Sequence, residues 1–235
     1  MKRVCEALVN RVDNFIKWPA DVVAVQSSFA AIASFPRVVG ALDGTHVRIR
    51  QPKMNPNAFI NRKYYPSINV CAVANPHFKF TFASIRWPGS CHDSFILRQT
   101  SMWDAFEGGS RQGIILGDSA YPCRQWLMTP FPSPQNRSEE SFNLAHKKTR
   151  VIIECAFGML KKRFRILHDE MRVDPEKAPL LILASMILHN IALDMRMPDF
   201  EETLPPVAVP TDPAPSRAQE NGMAMRRHIA EAFFS

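Results

Sequence analysis

The chain has 235 residues, 46% hydrophobic and 22% charged, which suits one large globular domain with a substantial core. Its 29 Lys and Arg against 22 Asp and Glu leave a net charge of +7, favouring a polyanionic partner such as nucleic acid over an acidic one. Five cysteines, odd in number and never spaced C-x-x-C, argue against a disulfide framework or a zinc knuckle and point to a reducing compartment.

In chain order, residues 1–37 read as an N-terminal helical segment: Val4, Leu8, Val12, Phe15 and Ile16 follow a 3.6 period, Trp18-Pro19 breaks it, and Pro36 ends it. The start lacks the continuous apolar stretch of a signal peptide. Residues 38–43 form an apolar run ending in Asp43, and residues 45–50 alternate as a half-exposed strand does, with Asp43-Gly44 expected as a turn or bulge between them. Residues 51–65 form a basic loop. Residues 68–74 and 78–86 flank Asn75-Pro76-His77 and predict a hairpin. One helix is expected from Ser94 to Phe106. The glycine-bounded run 113–117 predicts a short buried strand delivering Asp118.

Residues 121–142 are Pro-rich and read as an excursion packed on the core. Helices follow over 144–166 and 178–195. The second is apolar, but Pro179, His189 and Asn190 interrupt it, so a buried helix is expected and no membrane span. Residues 204–217 predict a Pro-rich linker, and 223–234 a short amphipathic helix. This order of strands and helices predicts an α/β fold, a mixed sheet with helices on its faces, in a domain spanning 38–197, with a linker and short helix over 198–235.

Four acids stand out. Asp43 suits a turn, Asp118 an N-cap, Asp93 a capping box with Ser90, and Glu154 an ion pair with Arg150 or Lys161. Together they suit another role, because buried carboxylates repel unless a cation holds them, and hard divalent ions take oxygen ligands. On the helix carrying Glu154, the residues Ile153, Phe157, Leu160, Phe164 and Leu167 make an apolar face, while Arg150, Glu154, Lys161 and Arg165 share another. Cations flank the acidic blocks: Lys53, Arg62, Lys63, Lys147, Lys148, Arg150, Lys161, Lys162, Arg163 and Arg165, as phosphate contacts would. His46 and His92 neighbour acids and could orient water or phosphate. His189 and Asn190 read as a satisfied core pair.

Four blocks, in order, resemble the DDE nuclease domain of PIF/Harbinger transposases and their domesticated relatives. They are Val39-Gly-Ala-Leu-Asp43-Gly-Thr-His46, Trp87-Pro-Gly-Ser-Cys-His-Asp93-Ser, Leu116-Gly-Asp118-Ser-Ala-Tyr-Pro122, and the run from Arg150 through Glu154 and Lys161 to Phe164. Thirty-five residues separate Asp118 from Glu154, and Arg150, Glu154 and Lys161 match an R-E-K signature whose preceding tyrosine is replaced by Lys147. The resemblance implies an RNase H-like mixed sheet flanked by helices and an endonuclease using a divalent cation, Mg2+ or Mn2+. It makes Asp43, Asp118 and Glu154 catalytic, with Asp93 a fourth acid at the metal. It implies DNA as substrate, with contacts from Arg62, Lys63, Lys147, Lys148, Arg150, Lys161, Lys162 and Arg163, a Myb/SANT-like partner protein, and a nuclear or cytoplasmic location. The rival from another class is a non-catalytic DNA-binding or scaffolding protein on the same fold.

Overall fold

The computed structural model describes residues 2–197 and 217–235. Of the linker predicted over 204–217, only Arg217 is described, and it already begins a helix.

Three helices come first: α1 (Lys2–Val9), α2 (Val12–Phe15) and α3 (Val22–Ala33). The predicted Trp18-Pro19 break separates α2 from α3. Asp21 caps α3 by accepting from the Ala24 amide at 2.9 Å, and Ser34 ends it in the left-handed region.

Strand β1 (Val38–Arg48) is continuous. The turn expected at Asp43-Gly44 is absent, because Asp43 pairs with Ala72 and Gly44 with Cys71 of β2 (Ser67–Ala74) in unbroken antiparallel register. Asp and Gly are poor strand formers in isolation, but pairing and burial on both flanks override that preference. Asp43 therefore lies mid-strand rather than at a strand end. The hairpin to β3 (Phe80–Pro88) is as predicted, closed by Asn75, whose Oδ1 accepts from the His77 and Lys79 amides.

On the other side of β1, β4 (Ile114–Leu116) runs parallel to it. Next to β4 lies β5 (Leu127–Met128), a two-residue strand hidden in the Pro-rich excursion. The order β3-β2-β1-β4-β5, antiparallel then parallel, is an RNase H-like mixed sheet.

The single helix expected over 94–106 is two, α4 (Asp93–Arg98) and α5 (Ser101–Glu107). Thr100 is the reason: its hydroxyl donates to the Leu97 carbonyl, closing α4, and accepts from the Trp103 amide, opening α5. The long helix α6 (Arg137–Arg163) starts well before residue 144. Asn136 caps it by accepting from the Glu139 amide, and Glu139 accepts in turn from the Gln135 amide. Among the described residues the α-helices after α6 are α7 (Ala178–Asp194) and α8 (Arg217–Phe233).

Alternation along the strands gives the sheet two apolar faces. One packs Phe35, Phe142, Ile153, Phe157 and Met186 under α3, α6 and α7; the other packs Leu97, Met102, Phe106, Tyr121 and Trp126 under α4 and α5. Residues 175–194 are long and apolar enough to cross a bilayer by length and composition alone. They are instead tied to β3: His189 Nε2 bonds the Phe78 carbonyl, and the Asn190 carboxamide closes both backbone groups of Phe80. His189 and Asn190, expected in the core, are thus both buried and bonded at the start of β3. Helix α8 belongs to the core as well, since buried Arg226 donates to the carbonyls of Thr129 and Pro130 and Phe234, just past its end, packs on Phe35 and Phe142.

Candidate active site

Asp43 projects from the middle of β1 toward α6. The parallel register, with Ala41 opposite Leu116, brings Asp118 alongside it just beyond β4. Glu154 enters from α6, one helical turn after Arg150. The guanidinium of Arg150 joins two of these acids: Nη1 donates to Asp43 Oδ2 at 2.7 Å and Nη2 donates to Glu154 Oε1. The Arg150 side chain is only 8% exposed, so this is a buried bridge rather than a solvated helix pair.

The fields around it are consistent with acids crowded about one cation. Burial pushes Asp43 up to about 7; Arg150 and the Gly44 amide oppose that rise, while Asp118 and Asp93 reinforce it. Asp118 is also raised, chiefly by burial, against Arg150 and the Ala120 amide that its Oδ1 accepts from at 3.0 Å. For Arg150, burial disfavours the charge, but Asp43, Glu154 and Asp118 outweigh it and hold the guanidinium more firmly protonated than usual.

Asp93 arrives from the opposite side of β1. A Cβ on Gly44 would lie 2.6 Å from Asp93 Oδ1, so any other residue there would push the carboxylate from its place against the strand. The capping role weighed for Asp93 is not what the fold uses, since His92 is the N-cap of α4 and makes no side-chain capping bond. The Asp93 carboxylate is held instead by Asn69, whose buried carboxamide donates to Asp93 Oδ1 at 2.7 Å and to the Cys91 carbonyl at 3.1 Å. Asn69 escaped the sequence reading. Its signal was a polar residue inside the otherwise apolar strand Ile68-Asn-Val-Cys-Ala-Val.

Because Asp43 and Gly44 are adjacent on one strand, they face opposite sides, and the fourth acid reaches the cluster from behind it. Among the described residues no three His, Cys, Asp or Glu side chains already surround one ion position. If Asp93 acts through its charge, Asp93→Asn leaves the fold intact, because asparagine can still bond Asn69, yet weakens ion binding and any ion-dependent activity by roughly 10- to 100-fold. Thermal melts beside ion titrations check this.

The predicted cations divide. Lys161 is half-buried and donates to Thr45 Oγ1 at 2.7 Å and to the His46 carbonyl at 3.1 Å; burial, with help from Lys63, lowers it to about 8. Arg62 and Lys63 are exposed, and their charges act on His46. Lys53, Lys147, Lys148 and Lys162 are exposed as well, and Arg163 is half-buried. Arg150, expected on DNA, is committed to two carboxylates instead. Arg165 leaves the group altogether, because α6 ends at Arg163 and Arg165 pairs with Asp169 in solvent. His46 is anchored through Nδ1 to Ser67 Oγ at 3.0 Å, whereas His92 is exposed.

The titration of Asp43 sets a sign. Its folded value lies above the unfolded one, so the proton stabilises the fold, and this contribution is lost as pH rises from about 4 through about 7. A divalent ion competing for the same oxygens should bind more tightly as pH rises toward 7 and level off above it, since binding must expel the proton. Calorimetric Mn2+ titrations between pH 5.5 and 8 measure this; an affinity indifferent to pH would contradict it.

Residues 42–190 match the family described as DDE superfamily endonuclease. The chain is 36% identical over 225 residues to the Bos taurus protein named Putative nuclease HARBI1, covering 93% of this chain, and 37% identical to its Homo sapiens counterpart over 201 residues, covering 83%. A more distant relative, Protein ALP1-like of Arabidopsis thaliana, is 28% identical over 82% of this chain. The chain spans only 64%, 58% and 52% of the length of these three relatives. No solved structure matches it. The matched segment runs from the strand bearing Asp43 to the helix that closes the sheet, and the Harbinger-like blocks lie within it or at its edge; the chain belongs to the DDE superfamily endonuclease family.

Proposed function

We propose that the chain is a metal-dependent endonuclease that hydrolyses DNA phosphodiester bonds at the acid cluster. The observation that carries this reading is the bridge of Arg150: one guanidinium serves the buried acids Asp43 and Glu154, with Asp118 close enough to act on both Arg150 and Asp43. A site with so much desolvated negative charge favours further positive charge, and its donors are the hard oxygens that Mg2+ or Mn2+ prefers. Asp43, Asp118 and Glu154 would hold such ions, with Asp93 supporting them from behind β1. When bound, a pair of divalent ions supplies Lewis acidity to both the attacking and leaving oxygens of a phosphodiester.

The chain's own residues would do the rest. Lys161, fixed to Thr45 and the His46 carbonyl, sets a positive charge at the stretch of β1 just past Asp43, and exposed Arg62 and Lys63 extend it outward. Such contacts hold a phosphate backbone in register without reading bases. With ions on the acids, Arg150 would no longer be needed to neutralise them and would be available to the substrate's charge. The rival, a non-catalytic DNA-binding protein, draws on the same bridge, since Arg150 could be a permanent replacement for the ion.

DNA binding by this chain should be weak, strongly salt-dependent and nearly indifferent to sequence, with log affinity falling by about 0.9 per phosphate neutralised for each decade of salt. Tight, sequence-selective binding in fluorescence anisotropy would contradict this. A Myb/SANT-like partner would supply sequence readout, and the nucleus is the proposed location. Incubation of the purified chain with supercoiled plasmid tests the function: nicking that requires Mg2+ or Mn2+ and stops in EDTA supports it, and intact plasmid with either ion opposes it.

A further inference from the structure

The basic loop before β2 carries an aromatic side chain that stands in solvent. Tyr64 is 90% exposed, and its backbone stands at φ 61°, a left-handed conformation that a tyrosine adopts only at a cost. Its neighbour Tyr65 is different: half-buried, with Arg48 over its ring. The loop around Tyr64 is well tied. The Asn61 amide donates to the Tyr65 carbonyl at 3.1 Å, the Tyr64 amide donates to the Asn61 carbonyl at 2.9 Å, and Asn61 Oδ1 accepts from the Lys63 amide at 2.8 Å. Asn61 Nδ2 then donates to Ser67 Oγ at 3.0 Å, the same hydroxyl that anchors His46. A chain of three side chains thus fixes the loop tip to the strand bearing Asp43. Arg62 and Lys63 stand immediately before the ring and are exposed.

We propose that Tyr64 is a base-stacking residue, which receives an unpaired nucleobase of DNA beside the scissile phosphate while Arg62 and Lys63 hold the flanking backbone. An aromatic face next to cations, on a loop braced toward an acid cluster, is the combination by which single-stranded nucleic acid is held: charge tracks the backbone and the ring takes a base of any identity. The positive φ belongs to the tight turn closed by the Tyr64 amide on the Asn61 carbonyl and the Asn61 amide on the Tyr65 carbonyl, and this turn holds the ring out in solvent at a backbone angle that glycine would adopt more easily. The proposal rests on the nuclease reading in taking DNA as the ligand and the acid cluster as the place of the scissile phosphate.

The test is binding in EDTA, where no cleavage intervenes, to a duplex carrying one unpaired 2-aminopurine and to the same duplex fully paired. Tyr64→Ala and Tyr64→Gly should weaken binding to the unpaired duplex by about five- to a hundredfold and abolish the fluorescence change on stacking. Tyr64→Phe should keep both, and binding to the paired duplex should change less than about twofold for every variant, since no base there is free to stack. Because glycine is at ease at positive φ, Tyr64→Gly should leave Tm unchanged or raise it by up to about 4 °C. Equal binding of the unpaired duplex by wild type and Tyr64→Ala overturns the proposal and leaves the nuclease reading standing. A Tm fall of more than about 4 °C in Tyr64→Gly overturns it too, by making Tyr64 structural. Failure of the wild-type chain to bind either duplex rejects DNA as the ligand altogether.

Discussion

Arg150→Met lowers the stability of the ion-free chain by about 3 to 5 kcal/mol, the typical cost of removing one partner from a buried ion pair. Methionine keeps most of the stem's volume, so the loss reports charge rather than a cavity. In its absence Asp43 and Glu154, 19% and 15% exposed at the side chain, both lose the guanidinium they share. For a chain of this length the deficit corresponds to a Tm lower by roughly 6 to 20 °C. Mg2+ or Mn2+ then separates the readings of the bridge. If the ion and the guanidinium serve the same acids, the ion raises the Tm of Arg150→Met more than that of wild type, because nothing has to be displaced. At a hundred times its Kd it returns about 2.7 kcal/mol. An equal shift in both proteins would mean that Arg150 and the ion do not share a site.

The outline of the fold was legible because its strands are apolar runs bounded by turn residues: the hairpin about Asn75 and the run ending at Asp118 needed only period and punctuation. What escaped were features that exist only through tertiary pairing. β5 is two residues long inside a Pro-rich stretch, and its strand character comes from lying beside β4. The break between α4 and α5 turned on one hydroxyl, that of Thr100. Asp43-Gly44 looked like a turn because the sequence does not show that β2 pairs through it; the glycine is there to admit Asp93.

The site was legible to a similar depth. Arg150, Glu154 and Lys161 were read as one helix face, and all three do turn toward β1. Their division of labour was not visible. Spacing alone cannot say that Arg150 spends its charge on acids while Lys161 is fixed by Thr45. Nor can it place the fourth acid, since the side from which Asp93 approaches depends on the parity of residues along β1. Asn69 lies twenty-four residues before Asp93, and only the fold puts its carboxamide there.

Glu154→Gln carries the largest expected effect on activity. Glutamine matches glutamate in size and can still accept from Arg150, so the fold should survive with a small change in Tm. It removes the negative charge that Glu154 would offer an ion. Loss of several kcal/mol of transition-state stabilisation amounts to roughly a thousandfold in rate. The most direct measurement is therefore the initial rate of supercoiled-plasmid nicking in Mg2+ and in Mn2+ for wild type and Glu154→Gln purified in parallel. The expected result is ion-dependent nicking by wild type, reduced at least about a thousandfold in the variant at equal stability. Nicking by Glu154→Gln at the wild-type rate would contradict the assignment of the acid cluster as the active centre.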